Sequence, residues 1–549
     1  MTDAGMNPRV LIVTPEVTHM PDGMGGSMAG CLTAKAGGLA DVSAALVSAL
    51  FREGANVYVA LPDYRTMFGA QMEPLIKRQW NTLRMRVPDE RVHLAQDCAF
   101  FHRNHIYSSD GWKNTKLSLA FQREVINNII PLVQPDLIHC NDWMTGLIPA
   151  VARSWGIPCL FTLHNPHTVK CFCAYIEDRG IDAASFWQHL WYERMPVSYE
   201  ESRETNAVDF ITSGVFGSHF VNTVSPTFLM EVVEGRHGFV EPQLRQELAN
   251  KWHAGCALGI LNAPDPSFNP RTDGALAYNY SSRNHAVGKW KNKLSLQERL
   301  GLIQDGRAPL FFWPSRLDPN QKGCQLLADI LFEVVSRYRS QRLQVVFVAD
   351  GGFKRHFEDI VRHQGLRERV VLCPFDEHME RLAYGASDFV LMPSLFEPCG
   401  LPQMIGPIYG ALPVARKTGG ICDTVHTLRV DAGSGNGFLF EHYDAPGLLW
   451  AIGQAMEFYS LAPRVRGRQV ARIMEESAAG FNHEVMARQY IGLYERMLDR
   501  PLIVAGNEPT LRRTARAKKS PPSPRRPRVV LPHHKERESS PIAIEKMSA

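Results

Sequence analysis

The chain has 549 residues, of which 45% are hydrophobic and 21% charged. That is the balance of an ordinary globular protein, and it is too much chain for a single core, so two domains are expected. Net charge is +4 but unevenly placed: residues 509–549 hold 11 Lys/Arg against 3 Asp/Glu, a net +8, so the body is net acidic and gives no reason to expect nucleic-acid binding.

No apolar run reaches the roughly 18 residues of a membrane span. The N-terminus lacks a basic region followed by an apolar run, so no signal peptide and a cytoplasmic location are expected. The 11 cysteines form no framework. Cys171 and Cys173 make a CxC with no second pair at zinc spacing, so reduced thiols and no metal are expected.

Along the chain, short β-rich runs alternate with helical patterns, which predicts an α/β protein with parallel sheets. The first half offers runs at 9–16, 56–64, 137–143 and 158–164. The second offers 310–317, 343–350, 369–375, 389–395 and 412–418. Two such halves imply two doubly wound domains with a cleft between them. Turn formers at 262–270 (NAPDPSFNP) suit a linker. An amphipathic stretch at 482–498 is expected to close the globular part, and the Pro/Ser/Arg-rich tail beyond is expected to be disordered. The tail is a candidate for touching an anionic partner.

In open parallel sheets, ligands sit at the carboxyl ends of the strands, so the turns there are the candidate sites. After the first run come Lys35, Gly37, Gly38 and Asp41 (KAGGLADV). Paired glycines let a backbone approach a bulky anion, and a helix beginning near Ala40 would offer its positive end. The 18 residues before Lys35 (17–34) are rich in Gly and Met, and read as a lid or a floppy connection. HCNDW puts Asp142 and Trp143 at a strand end: either a carboxylate and ring face for a sugar, or a helix cap and a core residue. His164 and Asn165 end the next run. Arg316 and Lys322 lie in a strand-to-helix turn, as cations that would neutralise a diphosphate. Glu397 follows the run at 389–395, and Thr418-Gly419-Gly420 offers a second turn with bare amides.

These motifs, in this order, resemble the glycogen/starch synthase family. KAGGLADV resembles its K-x-G-G-L-x-D-V, SRLDPNQKG its S-R-L-x-x-Q-K-G, and SLFEPCGLPQ its S-R-F-E-P-C-G-L-T-Q. The resemblance spans most of residues 9–498. It implies two facing Rossmann-like domains (the GT-B fold) with an interdomain cleft, divided at 1–265 and 266–481. A helix over 482–505 would cross back to the first domain, and a tail would follow over 506–549. It implies a retaining hexosyltransferase that moves glucose from ADP-glucose to the non-reducing end of an α-1,4-glucan, with no cofactor and no metal.

The resemblance also implies residue roles. Glu397, Arg316, Lys322, His164 and Asp142 would serve catalysis. Lys35, Gly37, Gly38, Asn262, Phe375, Cys399, Gly400, Leu401, Thr418, Gly419 and Gly420 would hold the donor. Asp41, Asp142, Trp143 and Asn165 would hold the acceptor. Phe375 stands where the family places an aromatic on the nucleobase, a core Phe being the other reading. Departures fall at Met144, Ala263, Leu395, Pro402 and the loop after Asn165. They leave open a UDP-glucose enzyme, a sucrose- or trehalose-type transferase, or a low-activity glucan-binding or regulatory relative.

Overall fold

The structure, a computed structural model, describes residues 7–70, 72, 87 and 89–504. The proposed tail therefore lies outside the described residues. Two parallel sheets organise the rest. The first holds β1 (Arg9–Val13), β2 (Asn56–Pro62), β3 (Val92–Ala95), β4 (Leu137–Asn141) and β5 (Cys159–Leu163). A small antiparallel ribbon follows, β6 (Lys170–Cys171) with β7 (Val208–Asp209), and then β8 (Phe220–Thr223) and β9 (Ala257–Gly259) complete the first sheet. The second sheet holds β10 (Leu310–Trp313), β11 (Gln344–Val348), β12 (Val370–Cys373), β13 (Phe389–Met392), β14 (Leu412–Arg416) and β15 (Phe438–Phe440).

Strand orders are β3-β2-β1-β4-β5-β8-β9 and β12-β11-β10-β13-β14-β15. Both are doubly wound orders that reverse beside their first strand. The reversal lies between β1 and β4 in one sheet and between β10 and β13 in the other, with registers such as Leu11↔Ile138 and Phe311↔Phe389. The strands are continuous apolar runs because helices cover both faces, which is why Leu310–Trp313 and Gln344–Val348 are buried at every position.

Six helices carry the site and its supports: α1 (Gly38–Arg52), α2 (Pro226–Val233), α3 (Glu377–Ala386), α4 (Pro402–Ile408), α5 (Gly419–Thr424) and α6 (His483–Leu498). Helix α1 begins at Gly38, two residues before the expected Ala40, with Gly37 as its N-cap. Asn482 caps α6 by accepting from the Val485 amide. From α6, Met486, Tyr490, Leu493 and Tyr494 join the first sheet's core. The Tyr494 hydroxyl meets His139 Nδ1 at 2.8 Å, and Tyr490 accepts from Asn222 at 2.9 Å. Burial lowers the His139 pKa to about 3, so that ring is neutral structure.

The Gly/Met-rich connection at 17–34 is neither lid-like nor floppy. Val17 and Ala34 exchange backbone bonds at 2.9 and 2.8 Å, which closes the loop at its base. Met20, Met24, Met28 and Leu32 are buried in the first core. Arg91 donates to the Gly23 carbonyl at 2.7 Å, and Asp89 accepts from the Gly25 amide at 2.8 Å.

Candidate functional site

The second sheet reverses where two candidate residues meet. Lys322 Nζ lies 2.6 Å from Glu397 Oε2, with the two side chains 13% and 7% exposed. Ser394 Oγ donates to the same oxygen at 3.2 Å. Two loops must run side by side to bring this about. The Leu395 amide bonds the Gln321 carbonyl at 2.8 Å. Gly323 has φ +71, and a Cβ there would lie 2.0 Å from the Pro393 carbonyl, so only glycine lets the Lys322 turn pass β13 this closely. Arg316, at the end of β10, is exposed.

Past Glu397 the chain turns at Gly400 (φ +75), and Leu401 N-caps α4 with Pro402 at its first position. A missing N–H costs least there, because a first-turn amide has no helical acceptor. Cys399 is buried, and burial raises its thiol pKa to about 12, so it is a packing residue rather than a thiolate.

The turn Thr418-Gly419-Gly420 corrects one expectation, since two of its amides are already taken. The Gly420 amide donates to the Glu397 carbonyl at 3.0 Å. The Gly419 amide donates to Glu231 Oε2 at 3.0 Å, and the Thr418 hydroxyl to the same oxygen at 3.2 Å. Glu231 belongs to α2 in the first domain, so it caps a helix of the second. The reverse contact also exists: Asp423 of α5 accepts from the Ser225 hydroxyl and from the Thr227 amide and hydroxyl at the start of α2. Each helix thus lends a carboxylate to the other's N-terminus. Bonds from His237, Gly419 and Thr418 outweigh burial and hold the Glu231 carboxyl below its ordinary range. Gly419, with φ +45, could not carry a Cβ, which would sit 2.0 Å from the Glu397 carbonyl.

Phe375 is 56% exposed, which rules out the core reading. Its amide donates to Asp350 Oδ2 at 2.8 Å. Asp350 also pairs with Lys354 at 2.8 Å, and those two bonds hold its carboxyl below the usual range. Asn262 is buried, with Oδ1 lacking a protein partner.

The first sheet contributes a second group at its own reversal. Glu16, after β1, accepts from the Ala36 and Gly37 amides at 2.8 and 3.0 Å and from the Tyr107 hydroxyl at 2.6 Å. The Gly37 amide is therefore not free for an anion, a second correction, while Gly38 is exposed as the first residue of α1. Lys35 is half exposed and pairs with Asp41 at 2.9 Å. Across the cleft, Glu380 of α3 feels Lys35, yet burial dominates and raises its carboxyl to about 7.

Asp142 has φ 57 and ψ −178, a backbone region that a residue with a Cβ rarely occupies. Its carboxylate accepts from the His164 amide at 2.7 Å and more loosely from the Asn165 amide and side chain, both at 3.4 Å, rather than capping a helix. Burial dominates over those bonds and pushes its pKa up to about 7. His164 Nε2 meets Asn141 Oδ1 at 3.0 Å, and burial lowers its pKa to about 3, so the ring is neutral. Trp143 is 4% exposed beside Tyr107 and in a T-shaped contact with His167. The ring is core, so the expected aromatic face for an acceptor sugar is not offered there. Met144 is also buried.

Glu16, Glu231 and Asp423 escaped the sequence reading, because a lone carboxylate on a helix or strand end has no motif. No hydrogen bond or ion pair among the described residues joins Lys35, Asp41 or Asp142 to Lys322 or Glu397. Among the same residues, no group of three or more His, Cys, Asp or Glu is placed to hold a metal, and no helix is long and apolar enough to cross a membrane.

Residues 9–246 match the family model "Starch synthase catalytic domain", and 308–457 match "Glycosyl transferases group 1". The chain is 32% identical to the glycogen synthase of Rhodospirillum rubrum over 84% of this chain and 96% of that one. It is 30% identical to the Moorella thermoacetica glycogen synthase over 90% and 97%. The chain belongs to the glycogen/starch synthase family. Its fold agrees with that of the catalytic domain of starch synthase IV from Arabidopsis thaliana, solved bound to ADP and acarbose. The TM-score is 0.71 at 27% identity, over 90% of this chain and all of that one. A sucrose-phosphate synthase from Thermosynechococcus elongatus, at 18% identity and a TM-score of 0.55, shares the fold. As a member of the glycogen/starch synthase family the protein is a glycosyltransferase of two parallel-sheet domains.

Proposed function

We propose that this protein transfers glucose from ADP-glucose to the non-reducing end of an α-1,4-glucan with retention of configuration. The observation that carries this reading is the Lys322–Glu397 pair at the second sheet's reversal point, with the exposed Arg316 on the same loop. ADP is favoured as the leaving group because the Arabidopsis starch synthase was solved with ADP.

In this reading Phe375 lies under the base, while Arg316 and Lys322 receive the diphosphate. The C1–O bond breaks with its electron pair passing to the phosphate oxygen, and positive charge develops at C1 and the ring oxygen. Cations and dipoles already in place stabilise that separation without reorganising. Glu397 holds a donor hydroxyl and faces the developing positive charge. Buried Asn262, with its unpaired Oδ1, the exposed Gly38, and His164 complete the donor pocket. The acceptor 4-hydroxyl attacks C1 on the face the diphosphate leaves, and its proton passes to the departing phosphate oxygen. Asp41, Asp142 and Asn165 orient the acceptor. Cleft closure excludes the water that would hydrolyse the donor.

We assign residues 1–265 and 266–481 to the acceptor and donor sides. Helix α6, within 482–505, returns to the acceptor side, consistent with its side chains in the first core. The basic tail, 506–549, has two readings, contact with an anionic partner or a solvated solubility segment.

The test is incorporation of radiolabelled glucose from ADP-glucose or UDP-glucose into ethanol-insoluble glycogen. Incorporation from ADP-glucose that disappears in Glu397→Ala supports the reading. Better incorporation from UDP-glucose would overturn the donor assignment, and none from either would overturn the transferase assignment.

A further inference from the structure

Three strand ends lie side by side at the reversal of the first sheet: Val13 closes β1, Asn141 closes β4, and His164 follows β5. A chain of side-chain bonds crosses all three. Asn141 Nδ2 donates to the Val13 carbonyl at 3.1 Å, and Asn141 Oδ1 meets His164 Nε2 at 3.0 Å. Asp142, the next residue, holds the same histidine by its main-chain amide at 2.7 Å. Consecutive residues at the end of β4 thus grip the ring and the backbone of His164.

The direction of these bonds is decided at their far end. A backbone carbonyl can only accept, so the Asn141 amide must turn its NH2 group to Val13. The amide oxygen is then the atom that faces His164. That oxygen also can only accept, so His164 Nε2 carries the proton. Burial lowers the ring pKa to about 3, so at neutral pH the imidazole has a single proton and Nδ1 is bare. Among the described residues Nδ1 makes no hydrogen bond, and His164 is partly exposed. A bare ring nitrogen accepts from a hydroxyl, whereas a protonated one would donate. Asn141 itself is 4% exposed, too deep to touch a substrate. A buried amide is unfavourable unless its polar atoms are partnered. Here both ends are, and the partner at one end is the site histidine.

We infer that Asn141 is a positioning residue: it fixes the His164 ring with its proton on Nε2, so that Nδ1 accepts a hydrogen bond from a hydroxyl of the donor sugar. The sugar contact rests on the donor reading proposed above, while the tautomer rests on the protein alone. Asn141 acts only through His164.

Nuclear magnetic resonance of the full chain with isotope-labelled histidine tests the tautomer, with His164→Gln to identify the signal. At neutral pH the parent should show one neutral form of this ring, protonated at Nε2. Asn141→Leu should populate both tautomers. It should also lower kcat/KM for the donor about tenfold, on the scale of one hydrogen bond, and leave the affinity for ADP or UDP, which lack the sugar, unchanged in calorimetry. Asn141→Asp, of the same shape, is the second variant: its carboxylate favours a second proton on the ring, so the doubly protonated form should appear at a pH where the parent has none. A proton on Nδ1 in the parent, or a mixture of the two forms, would overturn the assignment whether or not the parent transfers glucose. A ring unchanged in both variants, or nucleotide affinity lost together with kcat/KM in Asn141→Leu, would overturn the positioning role. A parent that transfers from neither nucleotide sugar overturns the donor reading and the sugar contact with it, and the parent spectrum still decides the tautomer.

Discussion

The Glu231 carboxylate of one domain accepts the Gly419 amide of the other at 3.0 Å, on a turn whose next amide is held by the Glu397 carbonyl. The backbone that carries Glu397 is thereby tied to the first domain. Asp423 returns the favour at the start of α2. The clasp is made of charge-assisted bonds from two backbone amides and three hydroxyls to the carboxylates, which are stronger than bonds between neutral groups.

Glu231→Ala removes one cap and leaves the Gly419 amide and His237 without their acceptor. We expect a stability loss of about 1–2 kcal/mol, measured by urea denaturation, and a several-fold lower kcat. Glu231→Gln should recover most of the stability. Equal stability of the alanine variant and the parent would show that the clasp is inert.

Lys322→Ala deprives a mostly buried carboxylate of its cation and, in the proposed mechanism, the diphosphate of one of its positive charges. Activity should fall about 100-fold or more, with kcat affected more than donor KM. A change confined to KM would mean that Lys322 binds the ground state alone.

Phe375→Ala removes an exposed ring and nothing from the core. Donor KM should rise about tenfold, on the scale of base–aromatic stacking, with kcat and thermal stability nearly unchanged. Phe375→Tyr should behave as the parent. A fall in stability instead would mean that the ring has a packing role.

Asp142 has a folded pKa near 7 against an ordinary 3.8. Between those values the native state holds a proton that the unfolded chain has lost, so its contribution makes stability fall as pH rises from about 4 to about 7 and stay level above that. His139 and His164, with pKa values near 3, act oppositely. The unfolded chain binds their protons first, so their contribution rises with pH from about 3 to the ordinary histidine range. Asp142→Asn should therefore tilt the stability profile upward between pH 4 and 7. An unchanged slope in denaturation at several pH values would sink this assignment.

Both sheets were legible in part: each predicted run from 9–16 to 412–418 holds a parallel strand, an apolar stretch ending in a polar turn, while Val92–Ala95 and Phe220–Thr223 went unread. The missed strands are short ones, such as Ala257–Gly259 and Phe438–Phe440, whose three residues carry little pattern. The Lys322–Glu397 pairing was half legible. Both residues stood out at strand ends, but that the lysine would meet the acid follows from β10 lying next to β13, which is a matter of topology. Trp143 misled because an aromatic at a strand end reads the same whether its face is open or covered. The amides of Gly37 and Gly419 misled for a related reason: a glycine turn announces available donors, while the distant carboxylates that occupy them, Glu16 and Glu231, leave no trace in spacing.

The long connection before Lys35 begins and ends on the Val17–Ala34 pair, so its length is hidden from everything that follows. Its outer part is spent on the domain: Met20, Met24, Met28 and Leu32 fill the first core, and Gly23 and Gly25 are held by Arg91 and Asp89. Lys35 and α1 are therefore presented to the cleft from a base that is itself a piece of the core, so trimming the connection would take ballast out of the first domain as well as length out of the chain.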